Sequence, residues 1–455
     1  MKKKRVIASL LSALLVLSVS FLSGCNKKVL TIYDSQGEPI AEVRTLDIQK
    51  MKLKDEGLSS YVGIVIQEAA NAIAEKETIL VSEAKEKLLE EEFKVYTSFD
   101  PNAYKAIKKT YDSNKDEELQ FGCAITDTKG HLIATYGADS DDTQYVNYAG
   151  IQTPAYSSFK PLSVYAPALE KGLISWSTTY EDSPVKQIEE SDGTLRDWPK
   201  NATEKYTNQR ITINEAIKKS LNTVAVRCLQ EYGVKESIQY LTNAFGIDLS
   251  YEVNKMNLAG EEEILGNLAL GYLENGVSPI DMAGYYQVFT NLGIYTEPKA
   301  VTKICDNKGN ILYKTEVEEK RVINMETAYV MNLLLQGVVA RGGTGEKAQI
   351  KGVQVGGKTG TGEKGNWFVG FTPEYTCAVW HGKYQNSNCT AEMFSKIVSD
   401  LKHTVDKNYP ECKFVEMKPY CLESGMLFSV TGGCKQAGTG YYTSLNKTKR
   451  CEIHK

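Results

Sequence analysis

The stretch Ser157-Ser158-Phe159-Lys160 places a hydroxyl and a primary amine three residues apart in a chain of 455 residues. On a helix, positions i and i+3 lie on the same face, so we expect the Lys160 amine to lie within reach of the Ser157 hydroxyl. A serine hydroxyl is a poor nucleophile until a neighbouring group takes its proton, and no histidine is close in sequence. The spacing therefore predicts that Ser157 is a nucleophile and that Lys160 is its base.

Two polar motifs follow downstream, Ser220-Leu221-Asn222 and Lys358-Thr359-Gly360-Thr361. We expect Ser220, Asn222 and Lys358 to form a polar wall that faces Ser157 across a cleft. To act as a base, Lys160 must be neutral for part of the time. Its pKa must then fall from about 10.4 by roughly three pH units, or about 4 kcal/mol. Burial beside Lys358 supplies a cause, so we predict two lysines of unequal pKa.

Two glycines precede Lys358, and glycines in a strand allow a ligand to lie close to the backbone. We expect substrate to bind there as an added strand. Lys358 and Thr359 can hold the terminal carboxylate of a peptide, while the backbone N–H groups of Ser157 and Thr361 form an oxyanion hole. Each motif alone occurs by chance in surface loops and caps. Their combination and order favour an active site.

The remaining patterns predict an α+β fold, with one antiparallel sheet flanked by helices and an all-helical lobe between the first and third motifs. Helical patterns cover residues 59–92 and the segment from Ser157 to a Gly172 C-cap, with Pro167 as a kink. Predicted strands cover residues 29–33, 122–127, 131–136, 358–361, 367–371 and 376–380. Thr212 with Glu215 and Ser278 with Pro279 are expected to begin two further helices.

Longer stretches around these motifs resemble the transpeptidase domain of class A, high-molecular-weight penicillin-binding proteins, over about residues 93–401. The similar stretches are residues 157–162 and 220–226, Gly271, residues 276–279, residues 343–345, and residues 357–361 followed by 367–370. The resemblance implies a penicillin-binding/β-lactamase-like transpeptidase fold. It also implies that Ser157 is the acylated nucleophile and Lys160 its base, that Ser220 and Asn222 serve as proton-relay and substrate-amide groups, and that Lys358 with Thr359 binds the carboxylate.

The resemblance has one large departure. Class A proteins carry a glycosyltransferase domain with an E-D-x-x-F-type motif ahead of the transpeptidase, and nothing in residues 26–92 resembles it. The segment from Tyr61 to Pro101 instead looks like the linker between the two catalytic domains. We therefore expect a transpeptidase without its polymerase, so that a separate glycosyltransferase would polymerise the glycan.

The N-terminus predicts export. Residues 2–5 are basic, an apolar run follows from Val6 to Phe21, and Leu22-Ser23-Gly24-Cys25 looks like a bacterial lipobox. Cys25 would then be lipidated and would anchor the protein to the outer face of the cytoplasmic membrane. The alternative is an uncleaved signal anchor, because the apolar run is nearly long enough to span a bilayer.

The predicted organisation is a signal peptide with lipobox (1–25), an N-terminal segment and helical linker (26–92), a transpeptidase catalytic domain (93–405) and a Cys-rich C-terminal extension (406–455). The extension contains Cys412, Cys421, Cys434 and Cys451. In an exported protein such a cluster favours disulfides. Zinc is the less favoured interpretation, because there is no C-x-x-C pair and His454 is the only nearby histidine. We therefore expect no metal and no cofactor. A formal net charge of −4 gives no support for nucleic-acid binding.

The leading hypothesis is a serine D,D-transpeptidase that cross-links peptidoglycan stem peptides and is inhibited by β-lactams. The same site with water as acceptor would be a D,D-carboxypeptidase. A non-catalytic β-lactam sensor or wall-assembly scaffold is the alternative from another class, and the intact motifs argue against it. No E-x-x-L-N segment is placed to activate a deacylating water, and neither an H-E-x-x-H pair nor a G-x-S-x-G elbow is present. These absences disfavour a β-lactamase, a zinc peptidase and a Ser-His-Asp hydrolase.

Overall fold

The computed structural model of the chain describes residues 28–454, except 48–49, 52, 54, 115–118, 140–145, 190, 383–388, 402–407, 410, 430–432 and 447. The described strands are β1 (Leu30–Tyr33), β2 (Pro39–Val43), β3 (Lys94–Thr97), β4 (Gln120–Asp127), β5 (Leu132–Asp139), β6 (Thr179–Glu181), β7 (Lys186–Glu189), β8 (Leu195–Trp198), β9 (Arg210–Thr212), β10 (Ile294–Thr296), β11 (Val301–Cys305), β12 (Ile311–Lys314), β13 (Glu319–Arg321), β14 (Gly356–Gly362), β15 (Gly365–Phe371), β16 (Tyr375–Gly382), β17 (Glu416–Cys421) and β18 (Ala437–Tyr442).

The described α-helices are α1 (Ser59–Glu77), α2 (Val81–Glu90), α3 (Pro101–Asn114), α4 (Ala166–Glu170), α5 (Ile213–Lys219), α6 (Asn222–Tyr232), α7 (Val234–Phe245), α8 (Ser250–Ala259), α9 (Glu261–Leu270), α10 (Pro279–Thr290), α11 (Met325–Val339) and α12 (Cys389–Ser399). Short 3₁₀ turns at Glu56–Leu58, Tyr156–Ser158 and Glu346–Ala348 and a π-helical turn at Pro161–Tyr165 complete the helical elements.

The central sheet has five strands in the order β14-β15-β16-β4-β5, and every neighbouring pair is antiparallel. It contains the two predicted hairpin strands and the three predicted strands of the third-motif region. The prediction of an α+β fold with a central antiparallel sheet is confirmed, whereas the sequence did not predict that a second large sheet is present. The third motif lies on the edge strand β14, where a peptide can pair with the open edge.

Helices cover both faces of this sheet, which is why every residue of β15 is buried. Side chains alternate along a strand, so Phe368 and Phe371 point to opposite faces. The ring of Phe368 packs on Phe394 of α12 at 4.9 Å, whereas Phe371 packs on Phe289 of α10 at 6.3 Å. Burying each such ring contributes about 1.5–3 kcal/mol, so these contacts fix the helices relative to β14.

A second five-stranded sheet has the order β12-β11-β3-β1-β2, and β1 and β3 run parallel within it. It joins strands from residues 26–92 to strands from residues 93–405, so the two predicted regions share hydrogen bonds. The half-buried Glu68 carboxylate of α1 strengthens this junction by accepting hydrogen bonds from the backbone N–H groups of Ala300 and Val301.

The helical stretch predicted over residues 59–92 is divided into α1 and α2. Thr78 adopts a left-handed conformation with φ +57°, and its N–H donates to the carbonyl of Ala74. This geometry closes the last turn of α1, and α2 begins three residues later. The prediction of one continuous helix was therefore wrong at its centre.

The lobe between the first and third motifs contains α4 to α9, as predicted. It also carries two short antiparallel ribbons, β6-β9 and β7-β8, which the sequence patterns did not predict. The helix starts at Thr212 and Ser278 are present: the hydroxyl of Thr212 accepts from the N–H of Glu215, and that of Ser278 accepts from the N–H of Asp281.

The C-terminal extension forms the hairpin β17-β18, which packs Tyr441 against Trp176 with ring centroids 5.0 Å apart. None of the nine described cysteines forms a disulfide. The predicted disulfides are therefore absent from this part of the structure, and three cysteines of the extension lie around His454 instead. Among the described residues, no helix is long and apolar enough to cross a membrane. Cys25 and the predicted signal segment lie outside the described residues.

Candidate active site

Ser157 lies in a short 3₁₀ turn formed by Tyr156–Ser158, immediately before the π-helical turn. The predicted single helix from Ser157 to Gly172 is instead three consecutive pieces. Tyr156 has φ +51°, a conformation that costs energy for a residue with a side chain. Its N–H donates to the Gly271 carbonyl at 2.9 Å, and its hydroxyl accepts from the N–H of Lys364 at 2.9 Å. These contacts hold the strained residue in place, and the neighbouring Ser157 is half-buried.

Glycines allow the neighbouring backbones to approach this turn. A Cβ at Gly271 would overlap the carbonyl of Tyr156, and Gly271 also has φ +75°. On β14, a Cβ at Gly360 would overlap the carbonyl of Ala155. The turn Tyr156–Ser158, here called the nucleophile turn, is therefore packed directly against the third motif.

Lys160 is fully buried, and its Nζ donates to the backbone carbonyl of Ser220 at 3.0 Å and to Oδ1 of Asn222 at 2.6 Å. Burial, followed by repulsion from Lys358, lowers the pKa of Lys160 well below its ordinary value. The Ser157 hydroxyl makes no hydrogen bond among the described residues, so the expected direct contact with Lys160 is not formed in this state.

Lys358 is also fully buried, and its Nζ donates to Oγ of Ser220 at 2.8 Å and to the carbonyl of Thr359 at 3.1 Å. Burial lowers the pKa of Lys358 to about 7. The two lysines therefore meet at one residue, with Lys160 on the Ser220 carbonyl and Lys358 on the Ser220 hydroxyl. The pKa of Lys160 is lowered, as the sequence predicts, and the pKa of Lys358 is lowered as well, which the sequence did not predict.

Ser220 follows α5 and has a left-handed backbone conformation with φ +59°. This conformation turns the chain between α5 and α6, so that Ser220 and Asn222 present their polar groups to the same space. The side chain of Asn222 accepts from Lys160 and donates its Nδ2 to the carbonyl of Lys200 at 2.6 Å. The second motif is thus fixed by backbone contacts on both sides.

Sequence analysis missed a group that supports Asn222. The buried Asp182 carboxylate accepts from Nδ2 of Asn201 at 2.7 Å and from the hydroxyl of Thr223 at 2.6 Å. Oδ1 of Asn201 in turn accepts from the N–H of Asn222 at 2.8 Å. Burial by itself raises the pKa of Asp182, but its hydrogen bonds outweigh this effect and lower the pKa. No local motif marks Asp182, because its partners lie 19 and 41 residues away.

Thr359 is buried and donates its hydroxyl to the hydroxyl of Thr344 at 2.9 Å. Thr344 belongs to the Gly343-Thr344-Gly345 stretch, to which sequence analysis assigned no role. Thr361 is exposed on β14, where it pairs with Asn366 of β15. The predicted role of the Ser157 and Thr361 N–H groups as an oxyanion hole stays a prediction.

The arrangement can support acyl transfer. The serine side chain is half-buried, a lysine with a strongly lowered pKa lies three residues on, and a second lysine with a pKa near neutrality offers a cation to an anionic ligand. The serine at the second motif bridges the two amines and can relay a proton between them.

Comparisons with known proteins identify the family and the fold of the chain. Residues 106–399 match the family model described as the penicillin binding protein transpeptidase domain. The chain is 32% identical over 335 residues to penicillin-binding protein 1A of Clostridium botulinum, covering 70% of this chain and 39% of that protein. It is 32% identical over 413 residues to penicillin-binding protein 1F of Bacillus subtilis, covering 87% of this chain and 52% of that protein. The chain thus spans about half or less of the length of these relatives.

Among solved structures, the penicillin-binding protein PonA1 from Mycobacterium tuberculosis superposes with a TM-score of 0.64 at 22% identity, covering 77% of this chain and 94% of that one. That similarity shows the fold. Because the family model matches residues 106–399, which is more than half of the chain, the chain belongs to the penicillin-binding protein transpeptidase family.

Proposed function

We propose that this protein is a serine D,D-transpeptidase that cross-links peptidoglycan stem peptides through an acyl-enzyme on Ser157. The observation that carries the proposal is the buried pair Lys160 and Lys358, which meet at Ser220 with lowered pKa values. Maintaining two buried amines side by side costs stability, and perturbed pKa values of this kind are typical of catalytic sites.

Acylation begins when neutral Lys160 takes the proton of the Ser157 hydroxyl and the oxygen attacks the carbonyl of the penultimate D-alanine. The tetrahedral intermediate collapses, the peptide bond breaks, and the departing D-alanine amine takes up a proton. Ser220 lies between both lysine amines and can deliver that proton. Lys358 and Thr359 hold the terminal carboxylate, which accounts for a cation and a hydroxyl on β14.

Deacylation follows when an amine of a neighbouring strand attacks the ester, loses a proton and releases the Ser157 hydroxyl. A β-lactam presents a similar carbonyl and carboxylate, so it acylates the same serine. The solved complex of PonA1 with penicillin V supports this expectation for a related fold. Because no E-x-x-L-N segment supplies a base for water, we expect the penicilloyl ester to persist.

The site of action is also a proposal. A peptidoglycan substrate requires export, which agrees with the basic and apolar N-terminal pattern. We propose lipidation of Cys25 as the anchor to the outer face of the cytoplasmic membrane, with an uncleaved signal anchor as the alternative. We also propose that a separate glycosyltransferase supplies the glycan strands.

Labelling with fluorescent penicillin tests the acyl-enzyme. We expect one covalent adduct on the wild type, located on Ser157 by peptide mass spectrometry, and none on Ser157→Ala. Ser113→Ala is a matched control, since Ser113 lies on α3 and donates only to the carbonyl of Lys109. It should label like the wild type. An adduct at another residue, or no adduct on the folded wild type, would overturn the proposal.

Incubation with a D-Ala-D-Ala pentapeptide and an acceptor amine tests the reaction. Release of D-alanine with formation of a cross-linked product supports the transpeptidase. Release with water as the only acceptor would show a carboxypeptidase, and penicillin labelling without any release would show a sensor or scaffold. Each of the last two results contradicts the proposed reaction.

A further inference from the structure

The C-terminal extension gathers four metal-binding side chains that the proposed reaction does not use. The sulfurs of Cys421, Cys434 and Cys451 and a ring nitrogen of His454 all lie within 4.8 Å of one another. Nδ1 of His454 is 3.3 Å from Sγ of Cys451 and 3.8 Å from Sγ of Cys421. Three thiols and one imidazole therefore surround a common point.

The distances fit a tetrahedral zinc site. With Zn–S distances of about 2.3 Å and Zn–N distances of about 2.0–2.1 Å, a tetrahedron places its sulfurs about 3.8 Å apart and a sulfur about 3.6 Å from the nitrogen. The two sulfur-to-nitrogen distances lie on either side of that value. All four ligand atoms lie within 4.8 Å of one another, which is about 1 Å above the tetrahedral sulfur-to-sulfur distance at most.

Backbone hydrogen bonds hold two of the ligands. Cys421 ends β17, and its N–H donates to the carbonyl of Met426 at 2.7 Å. The N–H of Cys451 donates to the carbonyl of Leu427 at 2.8 Å. Two ligands 30 positions apart in sequence are thus fixed by consecutive residues of one loop.

Gly433 lies where the backbones of the other two ligands, Cys434 and His454, come close to each other. Gly433 has φ +75°, and a Cβ there would lie 2.5 Å from the carbonyl oxygen of His454. Any larger residue would push the His454 backbone away from Cys434. The position therefore requires glycine for both its conformation and its close contact.

A carboxylate orients the histidine. Nε2 of His454 lies 2.5 Å from Oε2 of Glu423, on the side of the ring opposite to the cysteines. A zinc-bound histidine usually donates its other N–H to a carboxylate, which fixes the tautomer that binds metal. The hydroxyl of Ser424 donates to Sγ of Cys451 at 3.3 Å, a contact that stabilises a thiolate.

We propose that Cys421, Cys434, Cys451 and His454 bind one Zn²⁺ in a structural site. Three thiolates and an imidazole form a soft ligand set that suits zinc, and four protein ligands leave no open position for catalysis. A disulfide among the three cysteines would leave one thiol unpaired and would not account for the histidine and its carboxylate.

The metal would hold the extension against the catalytic region. The hydroxyl of Ser177 donates to the carbonyl of Gly425 at 2.5 Å and contacts the hydroxyl of Tyr442 at 2.8 Å. Ser177 precedes β6, which pairs with β9 immediately ahead of α5 and Ser220. The proposed site therefore stabilises a segment that packs close to the support of the second motif.

Metal analysis of the purified mature protein tests this proposal. After loading with ZnCl₂ under reducing conditions and dialysis, inductively coupled plasma mass spectrometry should find about one zinc per chain. Cys434→Ser and His454→Ala should retain less than about a tenth of that amount. Cys412→Ser is the matched control, because Cys412 is a buried cysteine of the same extension outside the cluster. It should retain zinc like the wild type. Glu423→Gln should weaken zinc binding about 10–100-fold.

Two further measurements do not depend on variants. Wild-type protein loaded with Co²⁺ should show thiolate-to-cobalt charge-transfer absorption and the visible bands of a tetrahedral ion. Chelation should lower the thermal stability of the wild type, and added Zn²⁺ should restore it. A wild type that retains no zinc, or a Cys434→Ser protein that retains as much as the wild type, would overturn the proposal. So would an intact mass from exported protein that shows a disulfide within the cluster.

Discussion

Lys358 donates a hydrogen bond from its Nζ to the hydroxyl oxygen of Ser220 at 2.8 Å, although Lys358 is completely buried. The carbonyl of the same Ser220 accepts from Lys160. Ser220 can accept from both lysines because its left-handed backbone turns its carbonyl and its side chain towards different amines. Two amines thus share one small residue, and the charge on Lys358 contributes to the low pKa of Lys160.

The pKa values predict the pH dependence of acylation. The second-order rate constant with penicillin reports the free enzyme, so it should fall at low pH as Lys160 is protonated and at high pH as Lys358 loses its proton. Because the pKa of Lys358 is about 7, the alkaline fall should begin near neutrality. In Lys358→Arg the charge persists, so the alkaline fall should disappear. A rate that stays constant from neutral to strongly alkaline pH in the wild type would contradict this assignment.

Burial of Lys358 also predicts how stability changes with pH. Its pKa is about 7 in the folded protein and near 10.5 when exposed, so between these values the unfolded chain binds more protons and stability rises with pH. Lys358→Met removes the buried charge. It should increase the free energy of unfolding at pH 7 or below by an amount on the order of 3–5 kcal/mol, and the increase should diminish towards pH 10.5.

Urea unfolding at a series of pH values measures this difference. Lys219→Met is the matched control, because Lys219 is exposed and its Nζ reaches only the carbonyl of Gly342. The stability difference between this control and the wild type should not depend on pH over the same range. A Lys358→Met protein that is less stable than the wild type at pH 6 would show that the lost hydrogen bond to Ser220 outweighs the burial of charge.

Sequence patterns predicted the central sheet because its strands are continuous apolar runs separated by turn residues, as in residues 367–371 and 376–380. The same patterns predicted that Lys160 lies beside Lys358. A serine nucleophile requires a base, and a lysine can be that base only if a neighbouring charge or burial lowers its pKa. Local patterns could not predict the break at Thr78, because threonine does not favour the left-handed conformation that it adopts there.

The same limit applies to contacts between distant residues. Asp182 supports Asn222 through Asn201, which lies 19 positions from Asp182 and 21 positions from Asn222 in sequence. In the C-terminal extension, the spacing of Cys421, Cys434 and Cys451 fits no familiar metal motif, so disulfides were the natural interpretation. The backbone of the loop around Leu427 brings these residues together, and that backbone could not be predicted from spacing.

The Asp182 network predicts a positioning effect on acylation. Asp182→Ala removes the acceptor that holds Asn201 and Thr223, so Asn222 should move away from Lys160 and the rate of penicillin acylation should fall about 10-fold or more. Asp182→Asn retains one acceptor oxygen and should recover part of the rate. Asp192→Ala is the control, since Asp192 accepts only from Thr194 on an exposed turn. Equal loss of rate in Asp182→Ala and Asp192→Ala would contradict the role of the network.

Gly271 and Gly246 provide a matched pair for the nucleophile turn. Both follow helices in the left-handed conformation, with φ +75° and +69°, so alanine costs about 1–2 kcal/mol at either position. A Cβ at Gly246 meets nothing within 4 Å, whereas a Cβ at Gly271 would overlap the carbonyl of Tyr156. Gly271→Ala should therefore lower the melting temperature further than Gly246→Ala. Because Tyr156 precedes Ser157, Gly271→Ala should also reduce the rate of penicillin acylation about 10-fold or more, which Gly246→Ala should leave unchanged. Equal acylation rates in the two folded variants would show that the turn at Ser157 tolerates displacement of Tyr156.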